Sequence, residues 1–218
     1  MADNLAVTPG SGATIAAKDS TGAGGPLIQR VVPTWGPAGS FNDTDVASGK
    51  AFPVQVRDST GKEGVGYSTS VSFTTGTTAY AAGDCVGASG ANSAVDLGVC
   101  GRSANNIMIT SLELEIDSSS IISGETSYNL YLYNVTPPSA IADSSPFDLP
   151  SGDRASFLGK IAMPSIALQG SSTLYVSVDG INKHVLLAGT HLFGYLVSVG
   201  AFTPTARVYK ITIHTVDL

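Results

Sequence analysis

Apolar and polar residues alternate in short runs from about Val71 to the last residue, and hardly at all before that point. Alternation of period two marks half-buried β-strands, since successive side chains then point to opposite faces. The pattern predicts strands at Thr69–Thr74, Ala79–Val86, Ala94–Val99, Asn106–Ile116 and Tyr128–Val135. Further strands are expected at Phe157–Met163, at Thr173–Val178 together with His191–Val199, and at Arg207–Val216. In the Asn106–Ile116 run, Ile107 and Ile109 share one phase and Leu112, Leu114 and Ile116 another. That slip near Thr110-Ser111 predicts a β-bulge. In Tyr128–Asn134, Tyr and Leu separate onto opposite faces. No convincing long amphipathic helix interrupts the strands, so residues 67–218 are expected to form an all-β, antiparallel sandwich or jelly-roll domain.

Residues 1–66 have a different texture. Gly, Ala, Ser, Thr, Pro and Asp dominate, and Gly22-Ala23-Gly24-Gly25-Pro26 is a flexible break. Two short strands are expected, one in Leu27–Trp35 bounded by Pro33 and Gly36-Pro37, one in Phe52–Arg57. Pro53 confines the second to an edge, because it cannot donate to a ladder. Asp58–Gly66 then reads as a turn-rich linker. The expected organisation is an extended N-terminal arm followed by a compact body. The sole tryptophan, Trp35, lies in the arm. An aromatic in a polar extension either docks on a partner or folds back on its own body. The arm's apolar residues Leu27, Ile28, Val31, Trp35, Phe52 and Val54 are the candidate partner contacts. The long loop Thr136–Ala155, with four prolines, is expected to be a surface crossover able to lie on a neighbour.

Charge narrows the function. Charged residues make up 13% of the chain, against ~25% in typical soluble domains. Small neutral polar groups fill the difference, a surface suited to packing against other proteins. The net charge of −6 and the scattered Lys and Arg argue against nucleic acid, whose phosphates need cationic replacement of counterions. With no polybasic run, attraction to an anionic membrane is equally unsupported. The apolar stretch His184–Phe202 contains two His and three Gly and reads as strand material, not a membrane span. Met1-Ala2-Asp3-Asn4 has no signal-peptide character, so no secretion is expected.

No catalytic constellation can be assembled, and the chain is not expected to be an enzyme. A Gly-x-Ser-x-Gly elbow and a phosphate-binding loop are both missing from the sequence. Glu113 and Glu115 share a strand face opposite Leu112, Leu114 and Ile116, which makes them solvated or interface carboxylates. His184, His191 and His214 are too dispersed for a ligand set. Asp143, Asp148 and Asp153 lack the compact spacing of a calcium loop and read as solvated loop acids. No metal and no cofactor is expected. Cys85 and Cys100 are either two small buried hydrophobes or a cross-strand pair in a hairpin turning near Gly90–Ser93.

The opening Met1–Ala17, the Gln29-Arg30-Val31 stretch, Leu130–Asn134 with Pro137-Pro138, Asp148–Arg154 and Phe157–Ile161 resemble a group of tailed-bacteriophage virion structural proteins. The resemblance implies a capsid decoration (cement) protein on the virion surface, made in the host cytoplasm. It would bind the major capsid protein through its arm and assemble with copies of itself, with a homotrimer expected on a viral lattice. The alternative is a tail, baseplate or head-fibre component whose jelly roll binds a carbohydrate or receptor.

Overall fold

A computed structural model describes residues 65–218, and everything said of structure concerns that span. The strands are β1 (Gly66–Thr74), β2 (Cys85–Val86), β3 (Val95–Val99), β4 (Asn106–Asp117) and β5 (Tyr128–Tyr133). They continue with β6 (Phe157–Ala162), β7 (Ala167–Gln169), β8 (Thr173–Leu186), β9 (His191–Ser198) and β10 (Val208–Asp217). One sheet has the order β1-β10-β4-β8-β7 and the other β2-β9-β5-β6, with β3 also paired to β9. β2 meets Leu196 and Val197 while β3 meets Gly194, Phe193 and His191, so the two form one interrupted strand along β9. Every pairing is antiparallel.

The chain repeatedly crosses from one sheet to the other. β1 lies in the first sheet, β2 and β3 in the second, β4 in the first, and β5 and β6 in the second. β7 and β8 return to the first, β9 lies in the second, and β10 closes the first between β1 and β4. Eight principal strand positions wound this way make a jelly roll, the all-β class that the alternation predicts.

The core follows from the alternation. From the first sheet Ile107, Ile109, Leu112, Leu114, Ile116, Leu174, Tyr209, Ile211 and Ile213 point inward. Tyr128, Leu130, Leu132, Leu192 and Leu196 meet them from the second. The bulge is where the phase slip put it: against β10 the register moves between His214 and Thr215, leaving Thr110 as the extra residue of β4. Thr110 Oγ1 donates to the His214 carbonyl at 3.1 Å, and Ile109 and Leu112 both reach the core because of the extra residue. In β5, Leu130 and Leu132 face inward and Tyr131 and Tyr133 outward, but Tyr128 shares the parity of the leucines and lies in the core with them, so the Tyr and Leu faces separate only in part.

Several local expectations change. Of the Ala79–Val86 run only Cys85–Val86 is strand, since Gly83 at φ +92° turns the chain and the Ala81 N–H donates to Asp84 Oδ2 at 2.6 Å. Thr173–Val178 extends to Leu186 through an irregularity at Gly180 and Asn182, both at positive φ, and His191–Ser198 belongs to the other sheet. The short β7 has no clear sequence signal, all three residues being exposed. Cys85 and Cys100 are free buried thiols, one above each side of the second sheet. The hairpin reading fails because β2 and β3 both pair with β9 and not with each other.

Candidate assembly surfaces

The arm contacts named from the sequence, Leu27, Ile28, Val31, Trp35, Phe52 and Val54, all lie outside the described residues. The body offers two outer sheet faces and two sandwich ends.

The outer face of the second sheet is aromatic, and the chain covers it itself. Tyr133, Tyr195, Val197 and Cys85 are buried there, with Tyr131, Phe157 and Phe193 half-buried around them. Ile141, Phe147 and Leu149, from the loop after β5, pack over this cluster. Phe147 lies 3.9 Å from Tyr131 and 6.0 Å from Tyr195 between ring centroids. The loop is therefore a strap across its own sheet, which corrects the expectation of a crossover free to lie on a neighbour. Three main-chain bonds tie it to the β2 edge: Cys85 N–H to the Ser145 carbonyl, Ser144 N–H to the Cys85 carbonyl, and Phe147 N–H to the Gly83 carbonyl, at 2.8–2.9 Å.

Its acids are clamps. Asp143 Oδ1 accepts from Tyr80 Oη at 2.8 Å and from the Gly87 N–H at 3.1 Å. Buried Asp153 accepts from the N–H and Oγ of Ser139 at 3.2 and 3.0 Å, while Asp148 stays exposed. Only Asp148 remains the solvated acid that spacing suggested. Burial, then the bond to Asp143, raises the Tyr80 phenol far above its ordinary value. Burial likewise pushes the Cys85 thiol up to about 12 and the Cys100 thiol up to about 11.

The outer face of the first sheet is polar and uncovered among the described residues. Its rows are set by register: Ser72, Lys210, Glu115 and Tyr175, then Ser70, Thr212, Glu113 and Ser177. Glu115 meets Lys210 Nζ at 2.6 Å and Glu113 lies 3.7 Å from His214 Nε2. The Glu115 carboxylate, by hydrogen bond and charge, raises the Lys210 pKa. Glu113 and Glu115 are surface carboxylates as expected, each held across the ladder by a β10 partner, and pairs this exposed contribute little stability. Among the described residues no group of three or more His, Cys, Asp or Glu is placed to hold a metal ion. His191 instead bonds Asp96 at 2.8 Å, and His184 is exposed.

One sandwich end carries a polar network that the sequence did not announce. Glu125, between β4 and β5, is fully buried and meets Arg207 Nη2 at 2.6 Å. Tyr128 Oη donates to Glu125 Oε1 at 2.5 Å, the Ile122 N–H to Oε2 at 3.2 Å, and Arg207 Nη2 also reaches Tyr209 Oη at 3.1 Å. The Arg207 guanidinium lies 5.9 Å from the Phe202 ring centroid and 5.7 Å from that of Tyr209. Its Nε and Nη1 have no hydrogen-bond partner among the described residues. The only sequence signal was an acid and a base flanking strands, common to any β protein. The network ties the β4–β5 and β9–β10 connections together, and Gly124 lets their backbones touch at Ala201.

No family model matches the chain, and no curated protein matches it. Among solved structures, a chain of the "KBV activated particle at acidic pH" aligns with a TM-score of 0.31 at 10% identity, covering 98% of this chain and 90% of that one. A chain of "Israeli acute paralysis virus heated to 63 degree - full particle" aligns with a TM-score of 0.27 at 9% identity, covering 98% and 94%. Likeness at this level carries no functional weight, and the jelly-roll assignment rests on the strand order itself.

Proposed function

We propose that this chain is a structural component of a virus particle, a decoration (cement) protein that binds the outer surface of a bacteriophage capsid and reinforces its lattice. The observation that carries the reading is the jelly roll with one face sealed by its own strap and the other, uncovered among the described residues, a sheet of Ser, Thr and paired charges. Such a face offers hydroxyls and paired charges for contact with another protein surface. The sequence resemblance supplies the phage setting, since fold alone does not give function.

In this reading residues 1–64 reach the major capsid protein through Leu27, Ile28, Val31, Trp35, Phe52 and Val54. Burying such groups at ~25 cal/mol per Å² of apolar area gives a useful contact, and several arms on one oligomer multiply it by avidity. Copies of the chain cluster around a lattice axis, a trimer being the form suited to three-fold sites.

The test removes residues 1–64 and retains Val65, whose carbonyl accepts from the Asp217 N–H at 3.0 Å. The truncated body should fold but fail to load onto capsids lacking the protein, whereas the full chain should occupy them at hundreds of copies. Wild-type occupancy by the truncated form would refute arm docking. A stoichiometry of only a few copies per virion, at the tail, would replace decoration with a tail or fibre role.

A further inference from the structure

Sheet edges expose unpaired N–H and C=O groups, and proteins blunt them with short strands, bulges or charges. Three of the four sheet edges among the described residues are blunted. β7 has three residues. β6 breaks register near Gly159, at φ +96°, and carries Lys160. β2 and β3 form an interrupted strand, with Gly98 at φ +81°. The fourth edge, β1, is different: nine residues, Gly-Tyr-Ser-Thr-Ser-Val-Ser-Phe-Thr, in unbroken register with β10 and without charge or proline.

The hydrogen bonds show which of its groups face outward. Val65 O accepts from the Asp217 N–H at 3.0 Å and the Thr75 N–H donates to Arg207 O at 3.1 Å. Bonded pairs alternate along an antiparallel ladder, so Tyr67, Thr69, Val71 and Phe73 also bond β10. Gly66, Ser68, Ser70, Ser72 and Thr74 therefore turn their N–H and C=O away from the sheet, and no described strand lies beyond them.

We infer that β1 is a self-pairing edge, which joins β1 of a second copy of this chain antiparallel about a two-fold axis at Ser70. The outward groups are symmetric about that residue. Ser70 faces its own mate, Ser68 faces Ser72, and Gly66 faces Thr74. This is the one register in which all five outward residues of both copies are paired. At Ser70 and at the Ser68–Ser72 pairs it sets hydroxyls beside hydroxyls, which donate and accept equally. Tyr67 and Phe73, half-buried at the sandwich rim, lie three residues either side of Ser70 and come together across the axis. A chain of net charge −6 would repel itself through acidic surface, and β1 is a nine-residue strand free of charge. The contact is isologous, so it closes as a dimer, and it is separate from any three-fold cluster. It concerns the purified chain and does not depend on capsid binding.

The test uses the full chain in solution. An edge contact this small implies a dissociation constant on the order of 10–100 μM, measurable by sedimentation. Ser70→Pro removes an outward donor and leaves the β10 ladder intact, so it should weaken association at least about tenfold while circular dichroism is unchanged. Ser70→Ala keeps the outward N–H, losing the Oγ bond to Thr212 Oγ1 (2.8 Å) and the hydroxyl beside its mate, and should associate far more nearly like the wild type than Ser70→Pro does. Register is read by oxidation. Bonded antiparallel pairs lie at about 5.5 Å between Cα atoms, within disulfide range. Ser70→Cys should therefore cross-link, and Ser72→Cys, which faces Ser68 of the mate, should not. Cys85 and Cys100 are fully buried and do not interfere. A monomer at about 1 mM, association untouched by Ser70→Pro, or equal cross-linking by the two cysteine variants would each overturn the inference. A monomer would mean that the edge is covered by residues 1–64 or by a strand from another protein.

Discussion

Replacing Glu125 with Leu is the most demanding test of how this body is held together. The carboxylate is wholly buried and its Arg207 partner nearly so, so water screens neither charge. Deleting the acid strands the cation, since among the described residues Arg207 keeps only Tyr209 Oη and two ring faces, and its Nε and Nη1 already lack partners there. Tyr128 Oη loses its short acceptor at the same time. Removing one member of a buried pair costs about 3–5 kcal/mol. In a body of this size that corresponds to a fall of about 6–20 °C in Tm. Arg207→Met should cost less, because Glu125 would keep donors from Tyr128 and from the Ile122 N–H. The double variant Glu125→Leu/Arg207→Met should recover most of the loss, as apolar replacement of a buried ion pair is often neutral. Urea denaturation of all four proteins, with unchanged slopes, gives the coupling energy. A loss under about 1 kcal/mol for Glu125→Leu, or a double variant as unstable as the sum of the singles, would refute the reasoning.

Other expectations follow from the same geometry. Gly124→Ala combines φ +87° with a methyl overlapping the Ala201 carbonyl, so it should cost more than about 2 kcal/mol in denaturant titration. Phe147→Ala unpins the strap from Tyr131 and Tyr195. It should cost about 2 kcal/mol, because the ring is half-buried, and speed limited proteolysis within residues 136–156. Both thiols should resist a thiol reagent at pH 8 in the native protein and react on unfolding. Their raised pKa values also set an alkaline limit. Between about 9 and 11–12 the unfolded chain has released thiol protons that the folded chain retains, so stability should fall as pH rises through that window. Cys85→Ala should reduce that slope, as followed by pH-dependent denaturation.

The sequence by itself determined the class of the fold, because period-two alternation is a local property and each strand carries its own. The two phases of β4, Ile107 with Ile109 and Leu112 with Leu114, located the bulge at Thr110 for the same reason. The outward placement of Glu113 and Glu115 also followed from parity alone. Partnership was decided only by tertiary structure. Which strand pairs with which depends on crossovers far apart in sequence, so the pattern left open whether Cys85 and Cys100 flank a hairpin, and β9, which pairs with both β2 and β3, excludes it. The strap was illegible because Ile141, Phe147 and Leu149 are spaced irregularly among Pro and Asp, and only the aromatic face beneath gives them a purpose. Glu125 and Arg207 stand 82 residues apart, and nothing local to either announces the other. Charge pairs, straps and free edges are relations between distant segments, which a linear pattern does not encode and folding alone creates.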